Sequence, residues 1–299
     1  MFKGSYVALV TPMLADGKVD DKSLQALVEF HIQNGTHGIV AVGTTGESAT
    51  LPFQEHVDVV KRVVDLVDKK VPVIAGSGAN STAEAIFLSE QIAPLGVDGF
   101  LSVVPYYNKP QQAGMVAHFN AIASATDVPL MLYNVPGRTV ADMHSDTVAE
   151  LAEHKNIIGI KDATGDIQRF KEMKRLVDDS FLFFSGDDET GCNFMCEGGD
   201  GVISVTANIA PKAMSDMCNA ALDKNIVLAQ DINKQVMALH RELFIEPNPV
   251  IPKWALYKMG LIKDAFLRLP MVQPELNSKK AIEETLKKLN LISQVTNEK

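Results

Sequence analysis

Ile157-Ile158-Gly159-Ile160-Lys161-Asp162-Ala163-Thr164-Gly165 opens as an unbroken apolar run, turns polar at Lys161, and leads into a stretch with helical spacing over Asp166–Val177. An apolar run without alternation reads as a strand covered on both faces, the signature of a buried parallel sheet. The same unit recurs in both directions. Its apolar runs are Tyr6–Val10, Gly38–Val42, Val71–Ala75, Gly99–Val104, Pro129–Tyr133, Ile157–Ile160, Phe181–Phe184 and Gly201–Val205. Helical patterns alternate with them at Ser23–Ile32, Gln54–Val67, Thr82–Ala93, Gln112–Ala123, Ser145–Glu153, Asp166–Val177, Glu189–Glu197 and Pro211–Leu222. In the first of these, Leu24, Leu27, Val28 and Ile32 form one apolar face, and Asn34-Gly35 is a helix stop. Eight βα units with no strand-only block predict an α/β fold, a closed (β/α)8 TIM barrel rather than an open doubly wound sheet.

After Asp223 the strand signal vanishes and helical patterns continue at Ile226–Leu243, Val250–Met259 and Glu275–Leu289. The expected organisation is a catalytic barrel over residues 1–224 and a C-terminal helical extension over 225–299. The 299 residues fit this, since such barrels spend about 250 residues on one domain. A hydrophobic fraction of 46% with 22% charged residues is ample for a large core. The net charge of −9 and the lack of a basic stripe argue against nucleic acid as a partner. No apolar run is long enough to span a bilayer, and Met1-Phe2-Lys3-Gly4-Ser5 lacks the pattern of a signal peptide. Three cysteines, Cys192, Cys196 and Cys218, do not make a disulfide framework, so the cytoplasm is the expected compartment.

Barrels of this kind build their sites at the C-terminal ends of the strands. There the chain places Gly43-Thr44-Thr45-Gly46-Glu47-Ser48, Pro105-Tyr106-Tyr107-Asn108, Tyr133-Asn134-Val135-Pro136-Gly137-Arg138-Thr139, Lys161-Asp162, Ser185-Gly186-Asp187-Asp188 and Thr206-Ala207-Asn208. Lys161 is the most informative of these and admits two readings. It is either a lysine that snorkels or pairs with a carboxylate at the rim, or an amine desolvated enough to attack a carbonyl carbon. Arg138 can present a fork to a carboxylate or form a surface salt bridge. The Tyr133 hydroxyl can pass protons if another hydroxyl such as Thr44 holds it, while Tyr107 suits packing or an interface.

The competing chemistries are thinner. Cys192 and Cys196, four apart on a helix, read as small core residues rather than a zinc pair. The histidines show no metal-ligand spacing, and Asp187-Asp188-Glu189 suits a helix start as well as Mg²⁺. Gly76-Ser77-Gly78-Ala79-Asn80 lacks the lysine and spacing of a phosphate loop. Neither metal nor cofactor is expected.

Gly43-Thr44-Thr45-Gly46-Glu47, Tyr133-Asn134-Val135-Pro136-Gly137-Arg138-Thr139 and Gly159-Ile160-Lys161-Asp162-Ala163-Thr164 together resemble the pyruvate-dependent class I lyase family, the N-acetylneuraminate lyase family. The likeness runs from Gly4 and Thr11-Pro12 to Glu246-Pro247-Asn248-Pro249. It implies a Schiff base between Lys161 and pyruvate, whose enamine attacks L-aspartate 4-semialdehyde. Cyclisation then gives 4-hydroxy-tetrahydrodipicolinate, an early step of lysine and diaminopimelate biosynthesis. The resemblance also implies a proton relay of Tyr133, Thr44 and Tyr107, with Tyr107 reaching in from a neighbouring subunit. Thr45 would hold the pyruvate carboxylate, Arg138 the semialdehyde carboxylate, and Gly186 and Ile203 would line the site. An iminium is its own electron sink, consistent with the lack of a cofactor motif.

Siblings cleave N-acetylneuraminate or keto-deoxy sugar acids with the same lysine and tyrosine. Thr44, Tyr107 and Arg138 favour the condensing branch, because the sialic acid lyase usually has serine at the first threonine and lacks this arginine motif. A non-catalytic keto-acid-binding barrel is the reading from another class, and the retained lysine, tyrosine and threonine speak against it. The resemblance further implies a homotetramer of two tight dimers and an effector site for lysine at Ser48, Ala49, His56, Gly78, Asn80, Glu84 and Tyr106. Phe53 departs from relatives that carry histidine there.

Overall fold

The computed structural model describes residues 2–293. Its eight strands are β1 (Gly4–Ala8), β2 (Gly38–Ala41), β3 (Val73–Gly76), β4 (Gly99–Val103), β5 (Leu130–Asn134), β6 (Ile157–Asp162), β7 (Leu182–Ser185) and β8 (Gly201–Ser204). They run parallel in chain order, and β1 pairs with β8, with Gly4 opposite Gly201, to close the barrel. The predicted (β/α)8 architecture is the one found.

Around the strands lie α1 (Asp21–Gln33), α2 (Phe53–Val67), α3 (Thr82–Ile92), α4 (Gln112–Ala125), α5 (Pro136–Thr139), α6 (Ser145–Ala152), α7 (Ile167–Leu176), α8 (Asp188–Cys196) and α9 (Pro211–Leu222). Beyond them come α10 (Ile226–Glu242), α11 (Val250–Lys258) and α12 (Leu276–Lys288). The last residues of the expected extension, 294–299, lie outside the described residues. No helix among the described residues is long and apolar enough to cross a membrane.

Alternation along the strands separates two cores. Val7, Ile39, Ala41, Val73, Ala75, Phe100, Leu132, Ile160, Phe183 and Val202 face the helices. Tyr6, Val40, Ile74, Leu101, Met131, Tyr133, Phe184 and Ile203 fill the lumen. Tyr6 and Phe184 meet edge to face in the lumen, 5.3 Å between centroids. A Cβ on Gly38 would lie 2.0 Å from the Tyr6 ring, so the plug depends on a strand residue without a side chain.

Aspartates just ahead of the helices cap them. Asp20 accepts from the Lys22 and Ser23 amides, which starts α1 two residues ahead of the expected Ser23. Asp166 caps α7 and Asp187 caps α8 in the same way. The extension packs back on the barrel: α10 lies against α8 and α9, and His240 shares a 2.9 Å hydrogen bond with Thr206 after β8.

Candidate active site

Lys161 projects into the lumen from the penultimate position of β6 and is 6% exposed. In register it stands opposite Tyr133 of β5 on one side and Phe184 of β7 on the other. Its Nζ sits over the Tyr133 ring, 4.1 Å from the centroid. The neighbouring carboxylate, Asp162, points away and is bound by Thr164, Asn134 and Arg169. Of the two readings of Lys161, pairing at the rim is therefore not what is seen. None of the ion pairs among the described residues includes Lys161.

Gly186, just past β7, lets this lysine lie flat. A Cβ there would come within 2.8 Å of both Lys161 Cε and Ala163 Cβ. Its N–H is spent on the Asp162 carbonyl at 2.8 Å, so what position 186 visibly supplies is clearance. Ile203 is buried in the lumen near the same level.

The β2–α2 loop carries Thr44 and Thr45. It folds back through Gly46 N–H to Gly43 O (3.0 Å) and Glu47 N–H to Thr44 O (3.1 Å), with left-handed backbone at Val42 and Glu47. Thr45 is buried, and its Oγ1 accepts a hydrogen bond from Asn248 Nδ2 at 2.9 Å. An accepting hydroxyl keeps its own proton, so Thr45 remains able to donate to a bound carboxylate. The Asn248 carbonyl also accepts from Arg138 Nη2 at 3.3 Å, and its Oδ1 is buried without a partner. Asn248 thus joins the two groups expected to receive carboxylates. Sequence reasoning assigned it no role; the signal was an amide side chain between two prolines in Glu246-Pro247-Asn248-Pro249.

Arg138 lies on the short helix α5, which begins at Pro136, a favoured first-turn position. Tyr107 has φ +74° and is 91% exposed, outside the site of its own chain. Tyr106, Phe53 and Phe87 are also exposed, the last two edge on at 6.1 Å.

A cavity of ≈ 550 Å³ runs from Thr44 and Arg138 to His56, Glu84 and Tyr106. Ser48, Ala49 and Gly78 also line it, whereas Asn80 stands behind the wall and donates to the Tyr106 carbonyl at 3.2 Å. His56 donates from Nε2 to Gly76 O at 2.8 Å. Burial pushes its pKa down to about 4 against that bond, leaving the ring neutral with Nδ1 as an acceptor. Burial, helped by Glu84, raises the Tyr106 phenol. Lys161 and Tyr133 do not line this space.

The other sequence candidates are absorbed structurally. Asp187 accepts from Thr190, Asp188 from the Val205 and Thr206 amides, and Glu189 pairs with Arg241 at 2.7 Å. Burial pushes the Cys192 thiol up to about 12. The Ser77 amide is bound to Leu101 O, and Gly78 and Ala79 form cavity wall.

The chain as a whole is similar to proteins of known activity. A family model described as the dihydrodipicolinate synthetase family matches residues 1–289. A 4-hydroxy-tetrahydrodipicolinate synthase of Pseudoalteromonas atlantica (strain T6c / ATCC BAA-1087) is 68% identical over 293 residues, 98% of this chain and 100% of that protein. The dihydrodipicolinate synthase of Acinetobacter baumannii, solved in complex with pyruvate, superposes with a TM-score of 0.96 at 51% identity, covering 98% of this chain and 100% of the other. That of Cyanidioschyzon merolae, solved with lysine bound, gives a TM-score of 0.94 at 38% identity over 97% and 99%. With a lumenal lysine, a threonine turn and an arginine at the strand exits, and likeness along nearly its whole length, the chain belongs to the dihydrodipicolinate synthetase family.

Proposed function

We propose that this chain condenses pyruvate with L-aspartate 4-semialdehyde to form 4-hydroxy-tetrahydrodipicolinate, with Lys161 as the nucleophile. The observation that carries the reading is a buried lysine free of any ion pair among the described residues, lying over Tyr133 in space that Gly186 leaves open. The amine attacks C2 of pyruvate and water leaves, giving an iminium. Loss of a C3 proton gives the enamine, which bonds to the aldehyde carbon of the second substrate. Its amino nitrogen then adds to the iminium carbon, closing the ring and expelling the lysine amine. Nothing in this sequence is oxidised or reduced.

Tyr133 and Thr44, with Tyr107 of a neighbouring subunit, carry the protons in this reading. Thr45 donates to the pyruvate carboxylate from the hydroxyl that Asn248 leaves free, and Arg138 receives the semialdehyde carboxylate. Ile203 and Gly186 close the site around the imine. Residues 1–224 act as the catalytic barrel and residues 225–299 as its supporting extension. We assign the enzyme to the cytoplasm as a homotetramer of two tight dimers. The outward Tyr107 and the exposed aromatics Tyr106, Phe53 and Phe87 support the dimer.

Lysine, the end product, occupies the ≈ 550 Å³ cavity in the same reading. The neutral His56 Nδ1 and Glu84 face an ammonium there, and the shared wall at Ser48–Ala49 connects the effector to Thr44. Phe53 adds an apolar side chain to its lining where a histidine would add an acceptor, which favours weak inhibition.

Borohydride reduction with pyruvate, followed by peptide mass spectrometry, tests the central step: the expected adduct is on Lys161. Side-by-side turnover of aspartate semialdehyde, N-acetylneuraminate and a keto-deoxy gluconate identifies the substrate. A Lys161→Ala protein that condenses the first pair at the parental rate refutes the reading.

A further inference from the structure

Lys253, on α11 of the extension, is fully buried, and its Nζ lies 2.6 Å from Oε1 of Glu47, whose side chain is 2% exposed. Nothing in the reaction uses this second buried lysine. The pair is costly: each charge loses its water, and apolar residues of the same volume commonly serve stability as well or better. Burial pulls the Lys253 ammonium down from its ordinary pKa, with Glu47 opposing. Glu47 is also left-handed, φ +59° and ψ +36°, a conformation that costs a residue with a Cβ about 1–2 kcal/mol. Two unfavourable features at one position persist where surrounding contacts over-determine it, and such positions cluster at functional sites.

What they hold is the threonine turn. The Glu47 N–H donates to the Thr44 carbonyl at 3.1 Å, and the Glu47 carbonyl accepts from the Thr50 amide at 3.0 Å. The other carboxylate oxygen, Oε2, accepts from the Arg268 amide at 3.0 Å. Arg268 in turn grips Glu55 with Nη1 and Nη2, at 2.6 and 2.7 Å. The turn that presents Thr44 and Thr45 is therefore moored by residues about 200 positions later.

We propose that Lys253 is a positioning residue for keto-acid binding, fixing the Thr44–Thr45 turn through its ion pair with Glu47. The proposal rests on the reading that this turn receives the pyruvate carboxylate. It predicts a loss of pyruvate capture through Thr45 and of proton transfer through Thr44, with imine formation on Lys161 retained, because Lys161 and Tyr133 stand on β6 and β5, to which the pair makes no hydrogen bond.

The test compares Lys253→Met with the double variant Glu47→Gln/Lys253→Met. In Lys253→Met, KM for pyruvate is expected to rise roughly tenfold or more, the loss of one hydrogen bond to a charged carboxylate. Turnover at saturating pyruvate should fall as well, since Thr44 of the proton relay sits in the same turn, but the Lys161 adduct should still be trapped there. The double variant removes both charges, so it is expected to regain Tm while its pyruvate KM stays high. It carries the test where the single variant fails to fold. A folded Lys253→Met with parental KM, or a double variant in which Tm and KM recover together, overturns the proposal. Trapping on the unaltered protein is the control: its failure refutes the Lys161 chemistry, whereas successful trapping with an unmoved KM refutes the mooring alone.

Discussion

Replacing Asn248 by aspartate reverses one hydrogen bond at the barrel mouth. Asn248 Nδ2 donates to Thr45 Oγ1 at 2.9 Å, with both residues nearly out of water at 4% and 2% exposure. An ionised aspartate can only accept, so the Thr45 hydroxyl turns its proton toward residue 248 and has none for the substrate carboxylate. A hydrogen bond to a charged group is worth about 1.5–3 kcal/mol, or roughly 10- to 150-fold in binding. The added negative charge acts in the same direction. Asn248→Ala removes only the neutral bond, about 1 kcal/mol or roughly fivefold, and leaves the Thr45 proton free. At pH 8, pyruvate KM is expected to rise in the order parent, alanine, aspartate, with Tm recorded to confirm folding. An aspartate variant that binds pyruvate as well as the alanine variant would refute the assigned donor direction and with it the role of Thr45.

Other changes bear on separate parts of the site. Gly186→Ala puts a methyl 2.8 Å from Lys161 Cε, so borohydride trapping should slow at least tenfold, with a stability loss of about 1–3 kcal/mol from overpacking; an undiminished trapping rate would contradict the clearance argument. Arg138→Ala is expected to raise KM for aspartate semialdehyde by tenfold or more while leaving trapping by pyruvate alone nearly unchanged; equal losses in both would reassign the arginine. His56 has a folded pKa of about 4 against about 6.5 unfolded, so the unfolded chain binds the extra proton between these values. Its contribution is complete above pH 6.5 and lost as pH falls toward 4, and His56→Gln should show a shallower decline of Tm over that window; an equally steep decline would place the proton elsewhere.

The strands were readable because two-sided burial writes apolar runs, and each observed strand overlaps its expected one. The ends shifted where polarity and pairing disagree: β6 continues past Ile160 because Lys161 and Asp162 still pair with Tyr133 and Asn134. The four-residue helix α5 leaves no signal of its own, since Pro136-Gly137 looks like a turn and so short a helix has no periodicity. Lys161 was legible as a lysine closing an apolar run. Lys253 carries the same signal, in Val250-Ile251-Pro252-Lys253-Trp254, but its partner lies across the chain and no local pattern names it. Asn248 and Arg268 stayed hidden for the same reason: their work is done through contacts far apart in sequence.

The ring of strands closes only where β1 meets β8, Gly4 against Gly201. During translation, residues near the start must wait for almost two hundred more before their last partner leaves the ribosome. Until then the nascent sheet has two raw margins, each offering unpaired amides and carbonyls to any other emerging chain. A nonsense mutation shortly before residue 201 would make that interval permanent, and such a fragment is expected in inclusion bodies rather than as a weakened enzyme.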